Sequence, residues 1–352
     1  MAHSAGRLLS FTVLACILVW YLPQWFGAEI ASQILGTGVS IIIAYNLSGY
    51  FPPSSRFEVV NKAVLVTGCD TGIGHGLAKH LDSLGFCVFA GCLFKDGPGA
   101  TTLKDTSSNR LTVLQLDVTS DGQVNQAVKD IQQELNKNGK VFWGVVNNAG
   151  LICFGEVEWV PVDMFRNVQE VNVWGLIRVT QAFLPLIRRS KGRIINISSI
   201  TGRFAAGMTS PYIVSKYGVE AISDSLRHEL HKWGVKVVII EPGNYGAATV
   251  MFKRDAVTKN LKQVWDRTSD QVKKDYGQEY FEAFTDALSG TSEVGARDNI
   301  GPVAEAVADG LTLKYPSERY MPAGLPWQML VGYLRWCLPE SQIVSYTFQE
   351  FY

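Results

Sequence analysis

From Lys62 onward the chain alternates short runs of β-branched and aromatic residues with longer stretches whose apolar positions recur every three or four residues. The short runs predict strands at 62–67, 86–91, 111–116, 142–146, 193–198 and 235–240, and the longer stretches predict helices near 73–84, 121–137, 162–189 and 211–232. Strands and helices in alternation are the mark of an α/β fold, a doubly wound parallel sheet with crossover helices. Ligands of such sheets bind beyond the carboxyl ends of the strands, so those ends are where chemistry is sought.

The first 60 residues follow another pattern. No charged residue stands between Arg7 and Glu29, or between Glu29 and Arg56, and each gap exceeds the ~20 residues that span a bilayer. An apolar run from Leu8 to Leu22 stops at Pro23, and a second is centred on Ile34 to Tyr45. Trp20, Tyr21, Trp25, Tyr45 and Tyr50 stand where an aromatic belt would lie. A cleaved signal peptide competes for the first run, but no small-residue cleavage site follows it. Residues 1–60 are therefore expected to be a membrane-anchoring region, ending in the linker Phe51-Pro-Pro-Ser-Ser55, and residues 61–352 the catalytic domain. The segment Leu325 to Leu338 carries one charge in fourteen residues, which fits core, a contact between copies or an interfacial helix.

Composition narrows the function. With 352 residues, 47% hydrophobic and 18% charged, the chain can build a large core. Thirty-two basic residues balance thirty-two acidic ones without a block of like charge, which argues against nucleic acid as a partner. Six scattered cysteines, Cys16, Cys69, Cys87, Cys92, Cys153 and Cys337, show no metal-ligand spacing, so no metal is expected.

The strand ends carry the candidate chemistry. After the first comes Thr67-Gly-Cys-Asp-Thr-Gly-Ile-Gly74, in which Gly68, Gly72, Ile73 and Gly74 would let the backbone approach a pyrophosphate and open a helix whose amides favour the anion. Asp117 and Val118 follow the third strand, where the aspartate could accept from an adenine amino group. Asn147-Asn148-Ala149-Gly150 follows the fourth, and Pro242 and Gly243 the sixth. Gly91-Cys92-Leu93 ends the second strand without the acidic residue that usually marks NAD, and without arginine; Asp70 in the glycine turn would repel a 2′-phosphate. The cofactor expected is NAD rather than NADP.

Ser199 and the stretch Ser210-Pro-Tyr-Ile-Val-Ser-Lys216 supply the reacting groups. Ser210 reads as a helix cap followed by proline, and residues four apart on a helix share a face, so Tyr212 would lie beside Lys216. A nearby ammonium stabilises phenolate and would lower the phenol from its usual ~10.

These residues, with Asn172, resemble the short-chain dehydrogenase/reductase family over about residues 62 to 245, and the thirteen-residue step from Ser199 to Tyr212 also matches. Within it, Phe89-Ala-Gly-Cys-Leu93, Phe154-Gly-Glu-Val-Glu158, Phe183 to Arg189 and Glu241-Pro-Gly-Asn244 resemble the branch that holds D-β-hydroxybutyrate dehydrogenases beside membrane-anchored 17β-hydroxysteroid and retinol dehydrogenases. The resemblance implies a Rossmann-like fold and interconversion of a secondary alcohol and a ketone. Tyr212 would act as general base or acid, Lys216 would lower its pKa and bond the ribose, Ser199 would donate to the carbonyl oxygen, and Asn172 would hold a water linking Lys216 to solvent.

A D-3-hydroxybutyrate-like substrate is the first expectation, and a steroid or retinol, which would partition to the membrane, the alternative. A carboxylate substrate needs a cationic or amide clamp, for which Arg203 and Gln181 are the nearest candidates. Residues from about 245 are expected to close over the substrate, with Tyr245, Val250, Met251 and Phe252 as pocket candidates. The implied location is a membrane, of the endoplasmic reticulum first and of the mitochondrion as the alternative, with membrane lipid and a further copy of the chain among the expected partners. A membrane-attached cofactor-binding scaffold without turnover is the competing class, which the intact Ser199, Tyr212 and Lys216 argue against.

Overall fold

The computed structural model describes residues 55–205, 207–291 and 296–322. Both N-terminal apolar runs and the segment Leu325 to Leu338 lie outside them. Among the described residues no helix is long and apolar enough to cross a membrane. Two compact units are distinguished. The described part of the smaller comprises residues 55–57 and 313–317, in which Arg56 and Leu313 make an antiparallel bridge.

The larger unit holds seven strands: β1 (Lys62–Thr67), β2 (Cys87–Cys92), β3 (Leu111–Gln115), β4 (Val141–Asn147), β5 (Arg193–Ile197), β6 (Lys236–Ile240) and β7 (Arg319–Tyr320). Its described helices are α1 (Gly72–Ser83), α2 (Pro98–Thr106), α3 (Asp121–Asn138), α4 (Val162–Gln169), α5 (Leu176–Ser190), α6 (Ser210–Leu230), α7 (Arg254–Arg267), α8 (Asp270–Tyr276), α9 (Gln278–Thr291) and α10 (Gly301–Thr312).

All pairings are parallel, in the order β3-β2-β1-β4-β5-β6-β7. The chain leaves β1 toward β3 and returns to β4 on the other side of β1, which creates the switch point where such sheets bind ligands. Both the glycine turn and the Asn147–Gly150 run sit there. Helices on both faces explain why the inner strands read as unbroken apolar runs: Ala63 to Val66 and Ile194 and Ile195 are fully buried. On one face Val124, Ile131, Phe183 and Ile187 cover the sheet, with Phe183 stacked on Phe142 at 5.0 Å.

Several elements depart from the sequence reading, among them α10, where no helix was expected. β7 is two residues long, too short to show a period, and is held by pairing to β6. The helix α2 was not expected, because Pro-Gly-Ala-Thr-Thr has little helical propensity; it starts with proline after Gly97. The single helix expected over 162–189 is α4 and α5 joined by a π-helical turn, Glu170–Gly175, which contains Asn172.

Beyond β6 the chain makes α7, α8 and α9, which build a second core around the fully buried Trp159. Its ring meets those of Trp265 at 5.1 Å, Tyr276 at 5.3 Å and Phe284 at 4.8 Å. This packing brings Val250, Met251, Phe252 and Leu288 to one wall of the cleft above the sheet.

Candidate active site

The cleft begins at the glycine turn. Gly68 and Gly72 have left-handed φ values of +71° and +62°, which favour glycine. A Cβ on Gly74 would lie 2.2 Å from the Gly68 carbonyl oxygen and 2.3 Å from Asn148 Nδ2, so only glycine lets α1 start this close to the turn. The Thr67 hydroxyl accepts from the amides of Asn148 and Ala149 at 3.0 Å each. Asn148 Nδ2 donates back to the carbonyls of Thr67 at 2.9 Å and Gly68 at 3.2 Å. The Asn147–Gly150 run is thereby clipped to the turn. The bare backbone and the start of α1, open to a cleft of ≈ 830 Å³, fit the diphosphate of a dinucleotide.

Asp70 reaches across to the end of β2, where its carboxylate accepts from the amides of Leu93 at 2.8 Å and Phe94 at 2.9 Å. The acid missing from the β2 end in the sequence is thus supplied by the glycine turn. Asp117 also lines the cleft, with Oδ1 accepting from the Thr119 amide at 2.9 Å and hydroxyl at 2.7 Å. Ile73, Val118, Gly150, Pro242 and Gly243 line the same cleft.

Ser199 follows β5 and caps the short turn Ile200–Gly202, its oxygen accepting from the Thr201 amide at 3.2 Å and hydroxyl at 3.0 Å. A serine that accepts twice still has its own proton to donate. The helix α6 starts one residue earlier than expected, with Thr209 at the cap position and Pro211 in the first turn, and Tyr212 remains in that turn. Ser199, Tyr212 and Lys216 all line the cleft.

The phenol behaves otherwise than the spacing implied. Lys216 lies 5.3 Å from the ring centre of Tyr212, and its ammonium donates to the Ile197 carbonyl at 2.9 Å. Tyr212 keeps an accessible edge to the cleft, yet desolvation around its oxygen pushes the phenol up to about 12, and the Ser199 hydroxyl pulls only partly against it. Burial likewise brings Lys216 down to about 8, opposed by the carboxylate of Glu220. The same cause, burial, therefore moves the two neighbouring groups apart, because desolvation disfavours the phenolate of one and the ammonium of the other.

Asn172 is buried and locked in place. Its Nδ2 donates to the Leu151 carbonyl and to Ser215 Oγ, both at 2.9 Å, while Oδ1 accepts from the Leu151 amide at 2.7 Å. Its side chain ties the β4 end to α6 between Tyr212 and Lys216, since Ser215 Oγ donates to the Tyr212 carbonyl at 2.6 Å.

A buried polar chain, which sequence reasoning missed, runs underneath. Asn147 Nδ2 donates to Thr180 Oγ1 at 3.0 Å and Asn196 Oδ1 at 2.8 Å, and Asn196 Nδ2 donates to Ser223 Oγ at 2.8 Å. A polar residue inside an apolar strand run, Asn196 in Arg193–Ile197, was the available clue.

The far wall is apolar, with Leu151, Ile152, Phe154, Val250, Met251 and Phe252. Tyr245 is there too, its hydroxyl donating to the Pro322 carbonyl at 2.9 Å. The clamp candidates fail: neither Arg203 nor Gln181 lines the cleft, because Arg203 is held by Glu241 at 2.6 Å and Gln181 lies on the exposed side of α5. Among the described lining residues the charged side chains are Asp70, Asp117 and Lys216.

Comparison with known proteins agrees with this geometry. Residues 62–258 match the family model described as short chain dehydrogenase. The mitochondrial D-beta-hydroxybutyrate dehydrogenase of Rattus norvegicus is 46% identical over 268 residues, 76% of this chain and 78% of that protein. Estradiol 17-beta-dehydrogenase 2 of Rattus norvegicus is 41% identical over 323 residues, 91% of this chain and 82% of that protein. Retinol dehydrogenase 7 of Mus musculus is 38% identical over 274 residues, 78% of this chain and 83% of that protein. The chain belongs to the short-chain dehydrogenase family and is an NAD(P)-dependent oxidoreductase.

Proposed function

We propose that this short-chain dehydrogenase interconverts a secondary alcohol and its ketone with NAD, and that D-3-hydroxybutyrate or a close analogue is its substrate. The observation that carries the chemistry is the convergence of Ser199, Tyr212 and Lys216 on the cleft that opens at the glycine turn. Identity to the rat hydroxybutyrate enzyme supports the substrate.

NAD, when bound, supplies the hydride acceptor. Gly68, Gly72, Ile73 and Gly74 would hold its diphosphate, Asp117 and Val118 its adenine, and Asn148 to Gly150 with Pro242 and Gly243 its nicotinamide half. The carboxylate of Asp70 at the β2 end supports NAD over NADP, because a 2′-phosphate would meet like charge there. Tyr212 moves the substrate's hydroxyl proton. Held protonated at neutral pH, it is a donor for ketone reduction, and it becomes a base for alcohol oxidation as pH rises. Ser199 donates to the substrate oxygen, Lys216 bonds the ribose, and Asn172 fixes the α6 turn that carries Tyr212. The segment from about 245 closes the substrate end, and residues 1–60 attach the chain to a membrane of the endoplasmic reticulum or mitochondrion.

One observation favours a second reading. The far wall is apolar and, beyond Lys216, the described lining offers no cation to a carboxylate, which suits a steroid or retinoid. The match to the estradiol enzyme also extends over 91% of the chain, against 76% for the hydroxybutyrate enzyme, and so takes in part of the apolar terminal regions.

Initial rates with 3-hydroxybutyrate, estradiol and retinol, each with NAD and NADP, test both. Saturable rates with the hydroxy acid alone support the first substrate, and with the lipids alone the second. No rate with any pair would leave the non-catalytic scaffold standing.

A further inference from the structure

Arg203, excluded from the substrate cleft, belongs to a charge cluster centred on the buried carboxylate of Glu241, behind the catalytic turn. Glu241, the last residue before Pro242, is 1% exposed. Its Oε1 accepts from Arg203 Nε at 2.6 Å and from Arg319 on β7 at 2.9 Å. Arg319 also donates to both carboxylate oxygens of Asp224 at 2.8 Å, and pairs with Glu220. Asp224 pairs in turn with Arg227.

This cluster lies behind the turn that Ser199 caps and the stretch of α6 that carries Lys216. Arg203 is the residue after the turn Ile200–Gly202 that Ser199 caps. The Ile200 amide donates to the Pro242 carbonyl at 3.1 Å, one residue from Glu241. A Cβ on Gly202 would meet Ser198 Oγ at 2.7 Å and both Glu220 Cγ and the Lys216 carbonyl at 3.1 Å, so the turn lies directly on α6 where Lys216 leaves it. Glu220 follows Lys216 by one helical turn on the same face.

A buried ion pair is a poor source of stability, because desolvation offsets its attraction, but it is stringent about geometry: an unmatched partner left in the interior is expensive. Here the stringency acts on the turn that carries Ser199. We propose that Arg203, held by Glu241, is a positioning residue that sets the Ser199 hydroxyl against Tyr212. The proposal rests on the roles given to Ser199 and Tyr212 above.

A double-mutant cycle on the full-length chain tests it, with Arg203→Met, Ser199→Ala and the pair. Arg203→Met is expected to lower kcat by roughly ten- to hundredfold, the cost of a small misplacement near the reacting groups, with KM for NAD within about twofold. Arg203→Lys, which keeps the charge but not the planar fork, recovers part of the loss. In the Ser199→Ala background Arg203→Met changes kcat by less than about twofold, because the group it positions is gone. NADH binding, followed by tryptophan fluorescence, reports folding of each variant. Should Arg203→Met fail to bind NADH, the same cycle is run with Arg203→Lys, with the same requirement of non-additivity. Full multiplication of the two losses, or an unchanged kcat in Arg203→Met, overturns the proposal. Unchanged turnover in Ser199→Ala alone overturns the reading on which it rests.

Discussion

The ammonium of Lys216 donates to the main-chain carbonyl of Ile197 at 2.9 Å, which pins α6 to the end of β5 just two residues before Ser199. One bond therefore fixes the distance between the two elements that carry the reacting hydroxyls. It also takes a charge into the interior, where desolvation brings Lys216 down to about 8 from its ordinary 10.5.

That shift has a sign that can be measured. Between about 8 and 10.5 the unfolded chain binds more protons than the folded one, so stability rises with pH there. The contribution is complete above 10.5 and is lost as pH falls through about 8. Lys216→Met removes it. The unfolding free energy of the native protein minus that of the variant should rise by about 2 kcal/mol between about pH 7.5 and about pH 9.5, as measured by urea denaturation. A flat difference would contradict a desolvated ammonium.

Tyr212→Phe keeps the ring and deletes the proton carrier. Turnover should fall by about 10²–10⁴-fold, the usual worth of a positioned acid or base, while the dissociation constant for NADH changes little. Loss of binding and turnover together would make the phenol structural.

Asp70 is predicted to govern the choice of cofactor. Asp70→Ser removes the negative charge at the β2 end, and the ratio of kcat/KM with NAD to that with NADP should drop by about tenfold or more, or 1.4 kcal/mol. Initial rates with each cofactor measure it. An unchanged ratio would assign Asp70 only to holding the amides of Leu93 and Phe94.

Gly74→Ala places a methyl group 2.2 Å from the Gly68 carbonyl oxygen. Overpacking of this kind should cost about 1–3 kcal/mol and abolish NADH binding. Gly290→Ala, where a Cβ meets nothing within 4 Å, should leave NADH binding intact and stability equal or slightly higher. Thermal melts and fluorescence titration separate the two.

The order of strands and helices was legible in the chain because each inner strand is buried on both faces and so reads as an apolar run. The glycine turn and the Tyr212–Lys216 pair were legible for a related reason: a left-handed turn and a helical spacing of four are dictated by neighbours in sequence. Other features depend on partners far along the chain. β7 exists only by pairing to β6, and Arg203 finds Glu241 thirty-eight residues away, while Arg319 finds the same carboxylate across seventy-eight. No local pattern encodes such pairings, which is why Arg203 read as a substrate clamp.

Protonation shows the division most clearly. Sequence placed an ammonium beside a phenol and implied a lowered phenol pKa. Folding then removed water from both groups, and in a medium that solvates charge poorly the desolvation of Tyr212 outweighs the help of any neighbour. The chain by itself determined which groups meet and at what spacing. Only the tertiary structure, by deciding how much water each retains and which distant charges stand behind them, determined the state in which they meet.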